Sequence, residues 1–376
     1  MIRRGNSMRS VAWSILFAVA AMPVFAAPRQ PNVLLIISDD QGYGDLSIHG
    51  NPHLETPNLD LLAKQSVRLD QFHVNPLCAP TRAALLTGRY SIRSGVSGVA
   101  RGDETMRSEE VTLGDLFHSN GYKTAYCGKW HNGEHYPYTP PGQGFSESLS
   151  FNLGHWNNYF DTSLKRDGVW TKTKGYISDV LTDEAIRFVE KQQEKPWFCY
   201  LAYNVPHSPL QCPDAFFDKY KKKGLNDELA CIYGMCENMD HNIGRLLKKL
   251  DDLSLANDTI VVFLTDNGPN GDRFNGDMRG RKGQYYLGGV RVPCFIRWPR
   301  HLDPKIVPQI AAHIDLFPTL AELTSVRIPG GLNFDGKSLA PLLRGEARLW
   351  PDRTLFIQNR PAGAGGNNSG CVETIS

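Results

Sequence analysis

The apolar residues of this chain fall into two kinds of run. "NVLLIIS" (32–38) and "TIVVFLT" (259–265) are continuous and rich in β-branched residues, a pattern that predicts strands buried on both faces of a parallel sheet. Each ends abruptly in polar residues, "DDQGYGD" after the first and "DNGPNG" after the second. Shorter strands are predicted at "YKTAYCG" (122–128) and "WFCYLAYN" (197–204). The segments 56–66, 112–121, 176–193 and 227–253 instead space their apolar residues as one helix face. This alternation of strands and helices predicts the α/β class, with a large, mostly parallel sheet sandwiched by helices. No internal repeat, heptad run or low-complexity tract precedes the C-terminal tail.

The ends of the chain read differently. Arg3, Arg4 and Arg9 precede "VAWSILFAVAAMPVFA" and the small residues Ala26 and Ala27, the order of a secretory signal. Residues 1–26 are therefore expected to be a cleaved signal peptide, and the mature chain to be periplasmic or extracellular. An uncleaved anchor is the alternative, against which the short stretch and Pro23 argue. Residues 27–350 are expected to form the main domain. At the other end "RTLFIQNR" (353–360) reads as a strand, followed by a Gly- and Asn-rich tail with little to bury.

A net charge of +2 gives no reason to expect nucleic acid or a membrane surface as partner. The eight cysteines are scattered, without the density of a stapled scaffold or the paired spacing of a zinc site. Cys231 and Cys236 should point to different faces of one helix. With Cys78 set aside seven cysteines remain, an odd number, so at least one is expected to be a buried hydrophobe.

Candidate chemistry gathers at the strand ends, where open α/β sheets collect ligands. Asp39, Asp40, Asp266 and Asn267 offer hard oxygen donors, suited to Ca²⁺ or Mg²⁺; singly, each could equally be a turn or cap residue. In "LCAPTRAALLTGR" (77–89), Pro80 and Thr81 can open a helix whose positive end faces what Cys78 faces, which favours an anion. Arg82 and Arg89 add charge there.

That stretch resembles the sulfatase family, whose Cys-x-Pro-x-Arg core is matched by Cys78 to Arg82. Other segments extend the resemblance: "NVLLIISDDQGYGD", "ETPNLDLLAKQSVRLDQFHV", "GYKTAYCGKWHNG", "NVPHSPL", "FLTDNG", "RGRKGQYYLGGVRVPCFIRWP" and "HIDLFPTL". It implies an alkaline phosphatase-like fold and an exported hydrolase of aryl or carbohydrate sulfate esters. In that reading a formylglycine-generating enzyme oxidises Cys78 to formylglycine, whose hydrate is the nucleophile. Asp39, Asp40, Asp266, Asn267 and residue 78 hold a divalent cation, Ca²⁺ with Mg²⁺ as the alternative.

The resemblance also implies roles for the remaining residues. Lys129 and Lys282 clamp the sulfate, His207 is the general acid, Asp266 accepts the nucleophile's proton, and Arg82 orients the diol. Loss of the second hydroxyl's proton to His131 then expels sulfate. "GHWNNYFD", within the aromatic-rich stretch 131–160, leans toward sulfated polysaccharides. Residues 351–376 resemble a truncated remnant of the family's C-terminal antiparallel subdomain with a flexible tail. Two alternatives stay open: a phosphomonoester or phosphonate hydrolase of the same fold, and an inactive sulfate-ester-binding protein.

Overall fold

The run at 32–38 forms strand β1 (Asn32–Ser38), buried along its whole length. Its side chains alternate between two cores: Val33, Leu35 and Ile37 enter one, Leu34 and Ile36 the other. A strand loaded on both faces needs a helical layer on each side. The architecture follows from that requirement.

The computed structural model describes residues 1–2, 30–192, 194–347, 349–359 and 369–374. The expected signal peptide, past its first two residues, lies outside the described residues. No helix among them is long and apolar enough to cross a membrane.

The other strands are β2 (Val67–His73), β3 (Lys123–Lys129), β4 (Glu147–Phe151), β5 (Ser163–Arg166), β6 (Val169–Lys172), β7 (Trp197–Ala202), β8 (Thr259–Thr265), β9 (Cys294–Arg297), β10 (Lys305–Ala312), β11 (Thr354–Asn359) and β12 (Ser369–Thr374). The first ten make one sheet in the order β10-β2-β9-β8-β1-β7-β3-β4-β5-β6. The pairings leave only β9 and β5 running against the rest, so the sheet is mixed but mostly parallel, as the sequence predicts. The two uninterrupted apolar runs, β1 and β8, pair in parallel at its centre.

The helices are α1 (Pro57–Lys64), α2 (Cys78–Thr87), α3 (Leu113–Ser119), α4 (Ile177–Lys191), α5 (Asp214–Lys222), α6 (Asp227–Asp252), α7 (Leu287–Val290), α8 (Leu316–Thr324) and α9 (Ala340–Arg344). Helices α2, α3, α8 and α9 pack on one face with Val33, Leu35 and Ile37. Helices α1, α4 and α6 pack on the other with Leu34 and Ile36. Full burial of one such side chain contributes about 1.5–3 kcal/mol, so the central strands commit the chain to this three-layer arrangement.

Cys78, Cys127, Cys199, Cys212, Cys231, Cys236 and Cys294 are free, and of these only Cys212 is even partly exposed. Cys231 and Cys236 enter separate clusters, as their spacing in α6 requires.

The C-terminal segment carries more structure than the composition of its tail predicts. Beyond the strand expected at 353–360, Ser369–Thr374 adds a second, antiparallel to β11 from Thr354↔Thr374 to Asn359↔Ser369. The reason is local. Val372 and Thr374 favour extended backbone, and pairing satisfies main-chain groups of β11 that an isolated strand leaves open. Arg353, at the root of β11, donates to both carboxylate oxygens of buried Asp315 at 2.7 Å, which ties the hairpin to the main domain.

One glycine is decisive for the site that follows. Gly128, next to Lys129 at the end of β3, has φ 119°, and a Cβ there would lie 1.8 Å from the carbonyl oxygen of Ala202. Gly128→Ala is expected to destabilise the protein by about 3 kcal/mol or more, read from urea denaturation. A midpoint equal to wild type would show that β3 and β7 separate without cost.

Candidate active site

Four segments end at one edge of the sheet. Asp39 and Asp40 follow β1, Asp266 and Asn267 follow β8, Lys129 is the last residue of β3, and His207 lies just past β7. Cys78 opens α2, one turn before Arg82. The long insertions between these segments vanish in the fold, because parallel strands present their C-terminal ends side by side.

The carboxylates are fully buried and paired with cations from distant segments. Lys129 Nζ lies 2.5 Å from Asp39 Oδ2. Lys282 Nζ lies 2.6 Å from Asp40 Oδ1. Arg82 donates to Asp266 Oδ2 through Nε at 3.1 Å and Nη2 at 2.8 Å, and to the Lys129 carbonyl at 2.9 Å. Asn267 Nδ2 donates to Asp40 Oδ1 at 2.9 Å.

Ionisation follows from this arrangement. Burial alone would raise Asp39, but Lys129, then His207, Arg82 and Lys282, hold it below its ordinary value. Asp40 is likewise raised by burial and brought down chiefly by Lys282. Asp266 goes the other way: burial and the neighbouring charge of Asp39 push it up, against the pull of Arg82. Arg82 alone does not offset burial and the Asp39 charge at Asp266, so further positive charge there would favour its ionised form.

The residues fit a hard divalent cation. Asp39 Oδ1 and Asn267 Oδ1 are buried with no hydrogen-bond partner, a costly state for polar oxygens unless something else ligates them. One ligand atom each from Asp39, Cys78 and Asp266 lie within 4.8 Å of one another, as do those of Asp39, Asp40 and His207. The sulfur is poorly matched to Ca²⁺ or Mg²⁺; an oxygen at the same position would complete an all-oxygen set.

The two histidines differ in which nitrogen is free. His131 Nε2 lies 3.0 Å from the Val99 carbonyl and must donate to it, so the lone pair sits on Nδ1, which has no partner. Burial, then Lys129, lower its pKa to about 3, leaving a neutral proton acceptor. His207 Nδ1 lies 2.6 Å from the Ser208 carbonyl and donates to it, so Nε2, 3.8 Å from Asp40 Oδ2, is the nitrogen that takes up a proton and can release it again. Burial lowers its pKa as well.

Every candidate residue from the sequence thus reaches this edge except Arg89, whose guanidinium lies 2.8 and 2.9 Å from the two oxygens of Glu110. A residue seven positions after Arg82 lies two helical turns away and past the end of α2.

Sequence reasoning missed two supports. Arg273 Nη2 donates to the Asp40 carbonyl at 2.7 Å, while its guanidinium grips buried Asp45 at 2.7–2.9 Å. Asp40 needs such a hold, because it is a non-glycine at φ 64°; its amide is held in turn by Asp266 Oδ1 at 3.1 Å. Tyr159 donates to the His207 carbonyl at 2.9 Å. Asp45 stood in a quoted motif, but Arg273 lies in an irregular loop where no periodicity marks it.

Comparison with known proteins follows the same lines. The family model described as Sulfatase matches residues 31–326. Arylsulfatase A of Homo sapiens is 33% identical over 389 residues, covering 92% of this chain and 73% of that protein. Steryl-sulfatase of Mus musculus is 30% identical, covering 93% and 70%. Among solved structures, Ps i-CgsB in complex with k-i-k-neocarrahexaose superposes with TM-score 0.84 at 29% identity, covering 92% of this chain and 82% of that one. A phosphonate monoester hydrolase of Agrobacterium radiobacter shares the fold at TM-score 0.68 and 21% identity.

A cation bound at the orphaned oxygens should stabilise the fold by mass action. Ca²⁺ at a hundredfold excess over its Kd is expected to add about 2.7 kcal/mol, and Asp39→Asn to remove most of that gain. Thermal unfolding with EDTA, Ca²⁺ or Mg²⁺ reads the effect. A midpoint indifferent to both ions would exclude the site.

Proposed function

The chain belongs to the sulfatase family and is a sulfuric ester hydrolase; from that premise we propose that it is an exported enzyme in which Cys78, oxidised to formylglycine, and a divalent cation act on sulfate monoesters of carbohydrates or aryl alcohols. The observation that supports this most is the meeting of Cys78, three buried carboxylates and the unpartnered Asn267 oxygen at one sheet edge.

Asp39, Asp40, Asp266 and Asn267 would hold the cation, Ca²⁺ before Mg²⁺ on grounds of charge and number of oxygen donors. When bound, it supplies positive charge beside the reacting oxygens. The hydrated formylglycine supplies a nucleophilic oxygen and a second hydroxyl through whose deprotonation sulfate can leave without water attacking sulfur. The other steps belong to side chains already described.

Lys129 and Lys282 bind and orient the sulfate, each an ammonium paired with a carboxylate of the site. Arg82 fixes Asp266, which takes up the proton of the nucleophile. His207 delivers a proton from Nε2 to the departing alcohol oxygen, because an alkoxide is a poor leaving group. His131, neutral and with Nδ1 open, accepts the later proton from position 78.

Substrate class rests on resemblance to carbohydrate-directed relatives. Ps i-CgsB was crystallised with a neocarrahexaose, and N-acetylgalactosamine-6-sulfatase of Canis lupus familiaris is 31% identical over 92% of this chain and 72% of that protein. We infer a sulfated saccharide as the natural substrate, and a formylglycine-generating enzyme as the partner during maturation.

The tryptic peptide containing Cys78, taken from protein made in its own host, is expected to be lighter than the thiol form by about 18 mass units, the exchange of CH₂SH for CHO. An intact thiol would sink the aldehyde mechanism. The same preparation should turn over 4-nitrophenyl sulfate much faster than 4-nitrophenyl phosphate; the reverse preference would favour the phosphate-directed alternative.

The general-acid role has its own signature. His207→Ala is expected to lower kcat/KM for an alkyl sulfate by about 10²–10⁴-fold, and far less for 4-nitrophenyl sulfate, whose leaving group needs no proton. Equal losses on both substrates would assign His207 to binding instead.

A further inference from the structure

Strands β5 and β6 form a hairpin at the outer edge of the sheet, closed by Asp167 at φ 49° and Gly168 at φ 87°, the left-handed pair that a tight two-residue turn requires. Alternation sorts its side chains. Leu164 is fully buried in the main core, whereas Lys165 and its cross-strand partner Trp170 point to the opposite face. Lys172, two residues after Trp170, shares that face and pairs with Ser163.

Trp170 is 56% exposed. It is braced rather than loose: the Trp156 ring stacks on it with centroids 5.8 Å apart, and Phe151 stacks behind Trp156 at 5.3 Å. Lys165 Nζ lies 5.1 Å from the Trp170 ring centre. Among the described residues neither Lys165 nor Lys172 has a carboxylate partner. An exposed indole held in place beside two ammonium groups without a carboxylate is a surface with both an apolar and an anionic demand.

The register connects this surface to the candidate active site. Lys129 pairs with Phe151, Ser150 with Lys165, and Lys165 with Trp170. Three strand spacings separate β3 from β6, roughly 14 Å, a distance that a short run of linked sugar rings spans. The connection between Phe151 and Trp156 also touches the site, since a Cβ on Gly154 would lie 2.4 Å from the His131 ring.

We propose that Trp170, with Lys165 and Lys172, is a distal subsite that holds a sulfated sugar unit of a polymeric substrate while another unit of the same chain occupies the Cys78 site. The apolar face of a pyranose stacks on the indole, and its sulfate lies against the ammonium groups. This rests on the sulfated-saccharide reading above. It adds that recognition extends beyond the reacting unit, along the sheet toward β6.

The test separates the two. Affinity electrophoresis through gels containing carrageenan, with agarose as the uncharged control, reads binding without turnover; hydrolysis of 4-nitrophenyl sulfate reads the chemical site alone. Wild type is expected to be retarded by carrageenan only. Trp170→Ala should weaken binding about tenfold and Lys165→Glu/Lys172→Glu at least as much, with kcat and KM for 4-nitrophenyl sulfate unchanged in both. Absence of aryl sulfate turnover with intact carrageenan binding would sink the enzyme reading and leave the subsite standing. Wild type that ignores carrageenan, or variants that bind it as wild type does, would overturn the subsite.

Discussion

Six ionisable groups meet at the carboxyl edge of the sheet. Asp39, Asp40 and Asp266 face Lys129, Lys282 and Arg82, all but Lys282 essentially sealed from water. Isolated charges in such a place would cost several kcal/mol each. The cluster persists because every cation reaches a carboxylate and because uncharged donors, the Asp40 amide and the Asn267 side chain, fill part of the remaining demand. Most of what the fold does at this edge is to bring those partners into register. Three carboxyl groups match three cations but two oxygens stay unsatisfied, so the pairing that stabilises the edge also leaves it receptive. An anion entering between the lysines and a cation settling among the carboxylates can replace the internal ion pairs without leaving charge uncompensated.

Much of the fold was legible because its central signals are one-dimensional. β1 and β8 read as doubly buried strands from composition alone, and both pair as expected at the centre of the sheet. α4 and α6 follow their apolar spacing to within two residues of the expected bounds. What escaped lies where period carries no information. β5 and β6 are four residues each, too short for alternation to stand out, and β12 sits in a tail whose composition argued against structure.

The site was legible as a set of residues but not as a network. Motifs brought Asp39, Asp40, Cys78, Arg82, Lys129, His131, His207, Asp266, Asn267 and Lys282 to attention. Nothing in them says that Arg82 grips Asp266, or that Lys129 rests on Asp39, because those contacts span 184 and 90 positions. Arg273 shows the limit most clearly. Its role depends on the carbonyl of a strained residue 233 positions earlier, and a main-chain acceptor leaves no trace in the identity of the residue that carries it. Arg89 shows the converse, a charge next to the motif that geometry sends to Glu110.

The buried position of Cys78 has a consequence in time. Its side chain is 2% exposed, and the group that fixes its helix, Arg82, waits for a partner 184 residues further along the chain. At ribosomal speeds of 5–20 residues per second that partner emerges roughly 10–40 s later. Until then Arg82 lacks its nearest counter-charge, and the central strand β8 that completes the edge is missing; afterwards ordinary breathing of the native state would have to unlatch the centre of the sheet. The long sequence separation of the central ion pair acts as a delay, setting how long position 78 remains chemically available before the molecule closes over it.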